Sequence, residues 1–258
     1  MRDTPAARHR SNVDAIRIKT PTAHDWRCMD PVELLTKAPI FEGLAPADLE
    51  PLRAAIRTRR FAKGAYLFRE GDPGSHLYSV VDGEVMIGRV AEAGGQVVFA
   101  IAGPGEVFGE LSLFEDEGQR TADAQALKAT ECLMIARAPL LRFLTAQPRL
   151  LLRIIASLSV YIKRKDSALG DVAFLDISGR VASKLLELAD TRGRQTSDGI
   201  VIELPLSQRV LAGMVGASRE NVNRALRRLS ELAYIRQSAG SIIVLDRDRL
   251  RHRASPHV

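Results

Sequence analysis

Between Arg59 and Arg137, short runs of β-branched and aromatic residues are repeatedly interrupted by turn dipeptides. In the segment FAKGAYLFREGDPGSHLYSVVDGEVMIGRV the interruptions are Gly-Asp, Pro-Gly and Asp-Gly pairs, which favour tight turns between strands. The runs QVVFAIAGPGEVFGE and ATECLMIAR continue the pattern to its end. Short strands at this close spacing predict an antiparallel sandwich or jelly roll.

From Pro139 onwards the sequence changes to a helix pattern. Apolar residues at alternating spacings of three and four, interrupted once by a lysine, form one stripe: Leu151, Ile154, Leu158, Tyr161, Lys165, Ala168 and Val172. A stripe this narrow is typical of a coiled-coil seam, so we predict a long helix that pairs with its twin in a parallel homodimer. The alternative is a helix that packs only on its own β domain.

The last third of the chain predicts a small mixed domain. SGRVASKLLELADTRG is typical of an amphipathic helix that ends at Gly193, and a short strand, IVIELP, and two further helices follow it. YIRQSAGSIIVLD is predicted to be a β-hairpin that turns at Ala239 and Gly240. A helical pair followed by a small hairpin is the outline of a winged helix-turn-helix.

These patterns together predict an α+β protein, in which a long dimerisation helix joins an N-terminal β-roll (jelly roll) to a C-terminal winged helix-turn-helix. The predicted domains are a mobile tail (1–29), the β-roll (30–138), the dimerisation helix and hinge (139–175), the winged helix-turn-helix (176–250) and a C-terminal tail (251–258).

Charge is unevenly distributed over the 258 residues. Residues 1–177 carry equal numbers of basic and acidic side chains, so residues 178–258 supply the whole net charge of +6. A basic C-terminal third suggests contact with a polyanion. No apolar run approaches the roughly 20 residues that a spanning helix needs, and the N-terminus has no secretory signal. We therefore expect a cytoplasmic protein without membrane contact.

The residues that metal sites and enzymes need are sparse. The five histidines are scattered without metal-ligand spacing. Cys28 and Cys132 are too few for a disulfide framework or an iron–sulfur site. We expect no enzyme activity, no metal and no cofactor other than an effector.

The stretch LSQRVLAGMVGASRENVNRALRRLSEL carries the strongest functional signal. Gly216 permits a tight turn between two helices, and Ser218 suits the N-cap of the second. Four polar residues fall on one side of that second helix, opposite an apolar side: Arg219, Glu220, Asn223 and Arg224. Arginine can donate two hydrogen bonds to guanine and glutamate can accept one from cytosine, so this side predicts base readout.

Two residues at the start of the first helix, Ser207 and Arg209, complete the predicted DNA-binding set, with Ser207 also suited to an N-cap. The alternative interpretation of the second helix is a surface helix that carries a Glu220–Arg224 ion pair.

A second signal lies in GELSLFEDEGQRTA, residues 109–122, where four acids surround a single cation, Arg120. One explanation is a small anion that is held by the Arg120 guanidinium, the Thr121 hydroxyl and backbone N–H groups near Gly109. Because Glu110 would repel that anion, we expect it to accept a hydrogen bond from another part of the ligand.

The segment VGASRENVNRALRRL resembles the recognition helix of the CRP/FNR family of transcription regulators, most closely its actinobacterial-type cAMP receptor members. The resemblance implies that Arg219, Glu220 and Arg224 contact bases and that Ser218 contacts a phosphate. Where the family usually has threonine, this chain has Asn221. It also implies a homodimer on a double-stranded DNA palindrome of TGTGA-like half-sites, with RNA polymerase as a candidate partner.

The loop from Gly109 to Thr121 is similar to the phosphate-binding cassette of the same family, including the spacing of ten between Glu110 and Arg120. The resemblance implies a cyclic-nucleotide effector whose phosphate is held at Gly109, Leu111, Arg120 and Thr121 and whose ribose hydroxyl is held by Glu110.

The base of that nucleotide is left open. cAMP-binding relatives place a threonine and a serine or asparagine where this chain has Lys165 and Asp166. A lysine–aspartate pair can face either guanine or adenine, so the effector is cAMP or another cyclic nucleotide.

The resemblance therefore implies a dimeric transcription regulator in which an effector biases the long helices and, through Phe174-Leu175-Asp176, reorients the DNA-binding heads. Two alternatives stay open. One is an effector-independent regulator with a vestigial pocket, and the other is a cyclic-nucleotide-binding regulatory protein that acts on a protein partner.

Overall fold

The computed structural model describes residues 29–90, 95–115, 118–203, 208–238 and 240–255, without the side chains of Pro39, Ser157, Arg164 and Lys165. Several sequence predictions therefore fall outside the described residues. These are the N-terminal tail up to residue 28, the N-cap at Ser207, the turn residue Ala239 and the contacts of the Lys165 side chain.

The N-terminal domain consists of two four-stranded antiparallel sheets, which confirms the predicted β-roll. One sheet has the order β1-β8-β3-β6 and the other β2-β7-β4-β5. The strands are Ile56–Phe61 (β1), Tyr66–Phe68 (β2), His76–Asp82 (β3), Val85–Val90 (β4), Gln96–Ala102 (β5), Val107–Phe108 (β6), Asp123–Ala126 (β7) and Thr130–Ala136 (β8). Side chains from both sheets share one buried core, which includes Phe61, Phe68, Tyr78, Val85, Phe108 and Cys132.

Short helices pack on the β1-β8-β3-β6 sheet and form a second core with it. They are Pro31–Leu35 (α1), Pro46–Leu49 (α2) and Arg137–Thr145 (α3), with 3-10 turns at Pro39–Phe41 and Glu50–Ala55. Helix α1 starts where it does because the Asp30 carboxylate accepts a hydrogen bond of 2.8 Å from the backbone N–H of Val32 and proline occupies its first position.

The long helix α4 spans Pro148–Phe174, 27 residues. Its N-terminal turns belong to the roll domain, because Ile154 is buried in the second core and Leu151 and Leu158 pack against that core. The predicted seam is therefore wrong in register over this half of the helix. The row that the roll leaves exposed lies one residue later, at Leu152, Ile155, Ser159, Ile162, Asp166, Leu169 and Ala173.

Among the described residues, no single helix is long and apolar enough to cross a membrane, and α3 and α4 meet that test only as a pair that is bent by 110°.

The C-terminal head is a winged helix-turn-helix, as predicted. Its elements are Ile177–Arg192 (α5), Arg194–Thr196 (β9), Gly199–Glu203 (β10), Gln208–Val215 (α6), Arg219–Glu231 (α7), Ile235–Ser238 (β11), Ser241–Val244 (β12) and Arg247–Arg253 (α8). The sheet order is β11-β12-β10-β9, and β11 and β12 form the predicted hairpin. Helix α5 ends at its C-cap Gly193, also as predicted, whereas β9 and α8 were not foreseen.

Candidate functional site

Arg120 lies inside the roll, with only 3% of the residue exposed. Its Nη1 donates to the backbone oxygen of Gly109 at 2.7 Å and to the Ser112 hydroxyl at 3.0 Å, and its Nη2 donates to the backbone oxygen of His76 at 2.6 Å. The structure thus brings together Gly109 and Arg120, the two ends of the predicted cassette.

Aromatic rings enclose the same guanidinium. Its Cζ lies 4.2 Å from the centroid of the Phe68 ring and 5.6 Å from that of Tyr78, both in the range of cation–π attraction. The Tyr78 ring stacks on Phe108 with centroids 5.2 Å apart. Burial lowers the pKa of Arg120 from its ordinary value, although the group remains a cation.

This buried cation forms no salt bridge among the residues that the structure describes, although Glu110 and Asp72 lie near enough to raise its pKa. Three of its five N–H donors are used by neutral acceptors, and the buried Nε has no hydrogen-bond partner there. Because a buried charge without a directly paired partner is costly, the site is electrostatically suited to an anion.

Glycine is required at position 109. Its φ is +82°, and a Cβ atom there would lie 2.7 Å from Nη1 of Arg120. The residue is therefore held both by its backbone conformation and by the guanidinium that packs against it.

Among the acids of the cassette that the structure describes, Glu110 alone is partly buried, and it lies beside Arg120. Burial raises the pKa of its carboxyl, and hydrogen bonding to its own backbone N–H and the charge of Arg120 act in the opposite direction. Burial together with the charge of Glu110 raises the pKa of Tyr161, which places this α4 residue near the cassette.

The other predicted ligand residues are less enclosed. Leu111 is half-buried, whereas Thr121 is exposed, and the Thr121 carbonyl accepts hydrogen bonds from Arg89 at 3.3 and 3.4 Å. Asp166 is exposed on α4, and the contacts of Lys165 lie outside the described side chains. Sequence reasoning missed His76, Phe68 and Tyr78, since they come from β2 and β3 and no local motif marks them.

The predicted DNA-reading helix is α7. The Ser218 hydroxyl caps it by accepting a hydrogen bond of 3.3 Å from the backbone N–H of Asn221, and Gly216 makes the preceding turn with φ +63°. Four apolar side chains of α7 are buried in the head core: Val222, Ala225, Leu226 and Leu229.

The opposite side of α7 carries the predicted base-contacting residues. Arg219, Glu220 and Arg224 are exposed, and Arg209 is exposed at the start of α6. Asn223 is half-buried, and its Oδ1 is buried without a hydrogen-bond partner among the described residues. Asn223 is thus the member of this set whose side chain the fold turns partly inward.

Glu220 stays ionised at neutral pH. Its pKa is lowered by hydrogen bonding to its own backbone N–H at the helix N-terminus, by the Ser218 hydroxyl and by the charge of Arg219. An ionised glutamate is a pure acceptor, so this group is suited to a base-edge donor such as the cytosine amino group.

A contact that was not predicted from the sequence stabilises the pair of helices α6 and α7. Nη1 of Arg180, on α5, donates to the backbone oxygen of Val215 at 3.2 Å, at the C-terminal end of α6. Arg180 thereby caps the helix that precedes the turn.

Two family descriptions match the two domains. Residues 58–147 match "Cyclic nucleotide-binding domain", and residues 179–253 match "Crp-like helix-turn-helix domain".

Curated relatives match most of the chain. A CRP-like cAMP-activated global transcriptional regulator of Mycobacterium tuberculosis is 35% identical over 222 residues, which is 86% of this chain and 99% of the relative. A cyclic AMP receptor protein of Thermus thermophilus is 34% identical over 207 residues, 80% of this chain and 92% of the relative.

Solved structures share the fold. The c-di-GMP responsive global regulator CLP of Xanthomonas campestris superposes with a TM-score of 0.66 at 25% identity, covering 78% of this chain and 99% of that one. A transcriptional regulator of the CRP/FNR family from Thermus thermophilus has a TM-score of 0.62 at 27% identity, with 77% and 98% covered.

Proposed function

The chain belongs to the CRP/FNR family and is an effector-controlled, DNA-binding transcription regulator rather than an enzyme, and we propose that its effector is a cyclic nucleotide whose phosphate pairs with Arg120. The proposal extends to a homodimer that binds a palindrome of TGTGA-like half-sites. Because its target is DNA, we place its action in the cytoplasm.

The observation that carries the proposal is that the buried Arg120 guanidinium lacks a directly paired negative charge in the described part of the chain. A cyclic phosphodiester would supply that charge, and the exposed Thr121 hydroxyl stands at the edge of the same loop. Glu110, which burial makes harder to ionise, is suited to a sugar hydroxyl and not to a phosphate.

The class of nucleotide is supported by the relatives. Those from Mycobacterium tuberculosis and Thermus thermophilus are named for cAMP, whereas the Xanthomonas campestris regulator is described as responsive to c-di-GMP. Lys165 and Asp166 would face the base, and their hydrogen-bonding chemistry accepts adenine or guanine. We therefore propose a cyclic nucleotide with a purine base, with cAMP tested first.

The proposed dimer uses the exposed row of α4. Leu152 is 68% exposed, Ile155 58%, Ile162 57% and Leu169 71%, at spacings of a two-stranded coiled coil. A row this apolar on a single chain needs cover, and a second copy of α4 supplies it in a parallel pair. Asp166 lies in the same row, where its carboxylate could accept a hydrogen bond from the effector.

Two copies of α7 would then enter successive major grooves. The exposed Arg219, Glu220 and Arg224 supply donors and an acceptor for base edges, and Ser218 and Arg209 supply phosphate contacts. A two-fold dimer requires half-sites one helical turn apart, which sets the palindrome spacing. Contact with RNA polymerase would follow from the role of the relatives as transcription regulators.

One observation favours a second candidate, an effector-independent regulator with a vestigial pocket. The guanidinium of Arg120 already donates hydrogen bonds to the backbone oxygens of Gly109 and His76, so the protein itself accepts from part of its donors. In this candidate the head would bind DNA with the same affinity whether or not a nucleotide is present.

The test combines two titrations on the full chain. Calorimetry with cAMP, cGMP and c-di-GMP measures effector binding, and fluorescence anisotropy on a labelled palindrome measures DNA affinity with and without each ligand. We expect one ligand to bind at micromolar concentration and to raise DNA affinity by about tenfold or more. No binding of any ligand, with unaltered DNA affinity, would favour the vestigial pocket.

Arg60→Gln is the matched control for Arg120→Gln in this test. Arg60 is exposed on β1 and pairs with Glu131 at 3.0 Å, so the control removes a cation of the roll without opening the core. We expect effector binding to be lost with Arg120→Gln and retained with Arg60→Gln. Retention of binding by Arg120→Gln would contradict the proposed phosphate contact.

A further inference from the structure

The head contacts the roll directly through α6, the first helix of the helix-turn-helix. Val210 of α6 is buried in a small apolar cluster with Met86 of β4 and with Val98 and Ile101 of β5. Met214 packs against the same cluster. Helix α6 is therefore buried on two sides, since Leu211, Ala212 and Val215 face the core of the head.

Gly213 makes this contact close. A Cβ atom there would lie 2.8 Å from Cγ2 of Val98 and 3.0 Å from the backbone oxygen of Gln96. The helix and strand β5 thus approach to a distance that excludes a side chain, and any larger residue must push α6 away from the strand.

A polar contact lies beside the apolar one. Nη2 of Arg192, at the end of α5, donates to the backbone oxygen of Ile101 and lies 3.0 Å from the Glu106 carboxylate. The same Glu106 oxygen accepts a hydrogen bond of 2.7 Å from the backbone N–H of Gly103. Arg192 is therefore tied to the loop that follows β5.

The docked strand is connected to the cassette by an unbroken set of pairings. Strand β7 begins two residues after Thr121 and pairs with β4, which pairs with β5. Arg89 of β4 donates to the carbonyl of Thr121 itself. These pairings connect the cassette to α6 by a route that does not include the hinge at Leu175.

Docking leaves the DNA-reading side uncovered. Arg219, Glu220 and Arg224 are exposed in the docked head. The contact therefore does not shield α7 from DNA, and its consequence is to fix the orientation in which α7 is presented.

We propose that Gly213 and Arg192 are positioning residues that fasten the head to the β4–β5 hairpin, and that effector occupancy is transmitted to α7 through this contact. The effector part rests on the proposed function, whereas the docking part does not. Neither residue belongs to the predicted DNA-binding or effector-binding set, so we expect both to act through the placement of α6.

The first experiment tests docking without any effector. Differential scanning calorimetry should show the roll and the head of the wild type unfolding in one transition, because the contact couples them. Gly213→Leu should split this into two transitions, and Arg192→Gln should broaden or split it. Glu187→Gln, which removes a charge from the same helix α5 at a site paired with Lys184, should leave one transition.

The second experiment measures coupling. The ratio of DNA affinity with and without cAMP should be about tenfold or more in the wild type and close to one in Gly213→Leu, with cAMP affinity unchanged within about twofold. Gly213→Ala should fall between the two. A structural defect alone would lower both DNA affinities and would not remove their ratio.

The proposal is overturned if Gly213→Leu and Arg192→Gln keep both a single transition and the wild-type ratio. If Gly213→Leu fails to fold, a double-mutant cycle tests the docking contact instead. The transition temperatures of Arg192→Gln, Glu106→Gln and the double variant are compared, and non-additive shifts show that the two residues interact. A wild type that binds no nucleotide would refute the proposed function, and the calorimetry would still decide whether the head is docked.

Discussion

The backbone oxygen of Gly109 accepts a 2.7 Å hydrogen bond from Nη1 of Arg120, so the first residue of the cassette contacts the arginine near its end. An anion that binds Arg120 must either use the donors that this arrangement leaves over or displace the Gly109 oxygen. In both cases ligand binding and the conformation of the loop are coupled. This coupling is the physical basis for a sensor, because a ligand shifts an equilibrium only by binding its two states differently.

Gly109→Ala should destabilise the roll and abolish effector binding. An alanine at φ +82° is strained by about 1–2 kcal/mol, and its Cβ would meet Arg120 Nη1 at 2.7 Å. Displacing that guanidinium leaves buried carbonyls unpaired, for a total loss of about 2–4 kcal/mol in unfolding free energy measured with urea.

Gly64→Ala is the matched control for this prediction. Gly64 has φ +84°, but nothing lies within 4 Å of a Cβ built there. The control carries the backbone strain without the clash, so its loss should be smaller and its effector binding normal. Equal losses in the two variants would show that the contact with Arg120 contributes nothing.

Glu110→Gln should make the unliganded protein more stable at pH 7. Burial raises the pKa of Glu110 above its ordinary value of 4.5, so the folded state holds its proton more tightly than the unfolded state. The favourable contribution is full below pH 4.5 and is lost as pH rises through the folded value. The Tm of Glu110→Gln should therefore exceed that of the wild type at pH 7, and the two should converge near pH 4.

The exposed Glu42 gives the control, since Glu42→Gln should show no such pH-dependent difference. We also expect Glu110→Gln to bind the nucleotide more weakly, because an amide is a poorer acceptor for a sugar hydroxyl than a carboxylate. A variant that is less stable than the wild type at pH 7 would contradict the burial argument.

The sequence predicted the architecture well because its strongest signals are local. Turn dipeptides between short strands predicted the roll. Gly216 and Ser218 predicted the helix-turn-helix, and Ser218 is the N-cap of α7 in the structure. In the N-terminal half of α4, the predicted seam fell on residues that the roll itself covers. Both faces of that helix are apolar, and periodicity alone does not tell which one its own domain covers.

The surroundings of Arg120 were not predictable for a related reason. The carbonyl of His76 and the rings of Phe68 and Tyr78 reach the guanidinium through the pairing of distant strands. No spacing in the sequence marks a backbone oxygen as a ligand. The docking of α6 on β5 was missed likewise, because Gly213 is an ordinary small residue until its neighbour is known.

The register of the α4 row can be tested with neighbouring isoleucines. Ile155→Glu places a charge on the exposed row and should turn the proposed dimer into a folded monomer, as measured by sedimentation equilibrium. Ile154 is 4% exposed and lies in the roll core, so Ile154→Ala should cost about 2–5 kcal/mol of stability without abolishing association.

Lys163→Glu is the control for Ile155→Glu, because Lys163 is exposed on α4 outside the row. It should stay dimeric. The opposite pattern, with Ile154→Ala monomeric and Ile155→Glu dimeric, would restore the seam as first predicted from the sequence.

Ala233→Gly should stabilise the head by about 1 kcal/mol, because the left-handed conformation strains alanine and glycine adopts it without strain. Ala233 has φ +56° and follows the C-cap of α7. The N–H groups of Tyr234 and Ala233 donate to the carbonyls of Leu229 and Ser230, a Schellman arrangement that favours glycine. Ala254→Gly, at the end of α8 with φ −82°, should not gain stability. An equal Tm change in both variants would show that φ is not the cause.

Glu220→Gln should relax sequence specificity at one base pair of each half-site. The carboxylate of Glu220 stays ionised because its pKa is lowered at the start of α7, and it can only accept a hydrogen bond. An amide accepts and donates, so discrimination at the contacted base should fall by about 1–3 kcal/mol, measured as affinities for palindromes changed at single positions. The slope of log affinity against log salt concentration should not change, since no phosphate contact is lost. Arg209→Gln should have the opposite effect: it should weaken binding to all sequences alike and lower that slope by about one. If Glu220→Gln instead weakens every sequence equally, Glu220 supports the helix and reads no base.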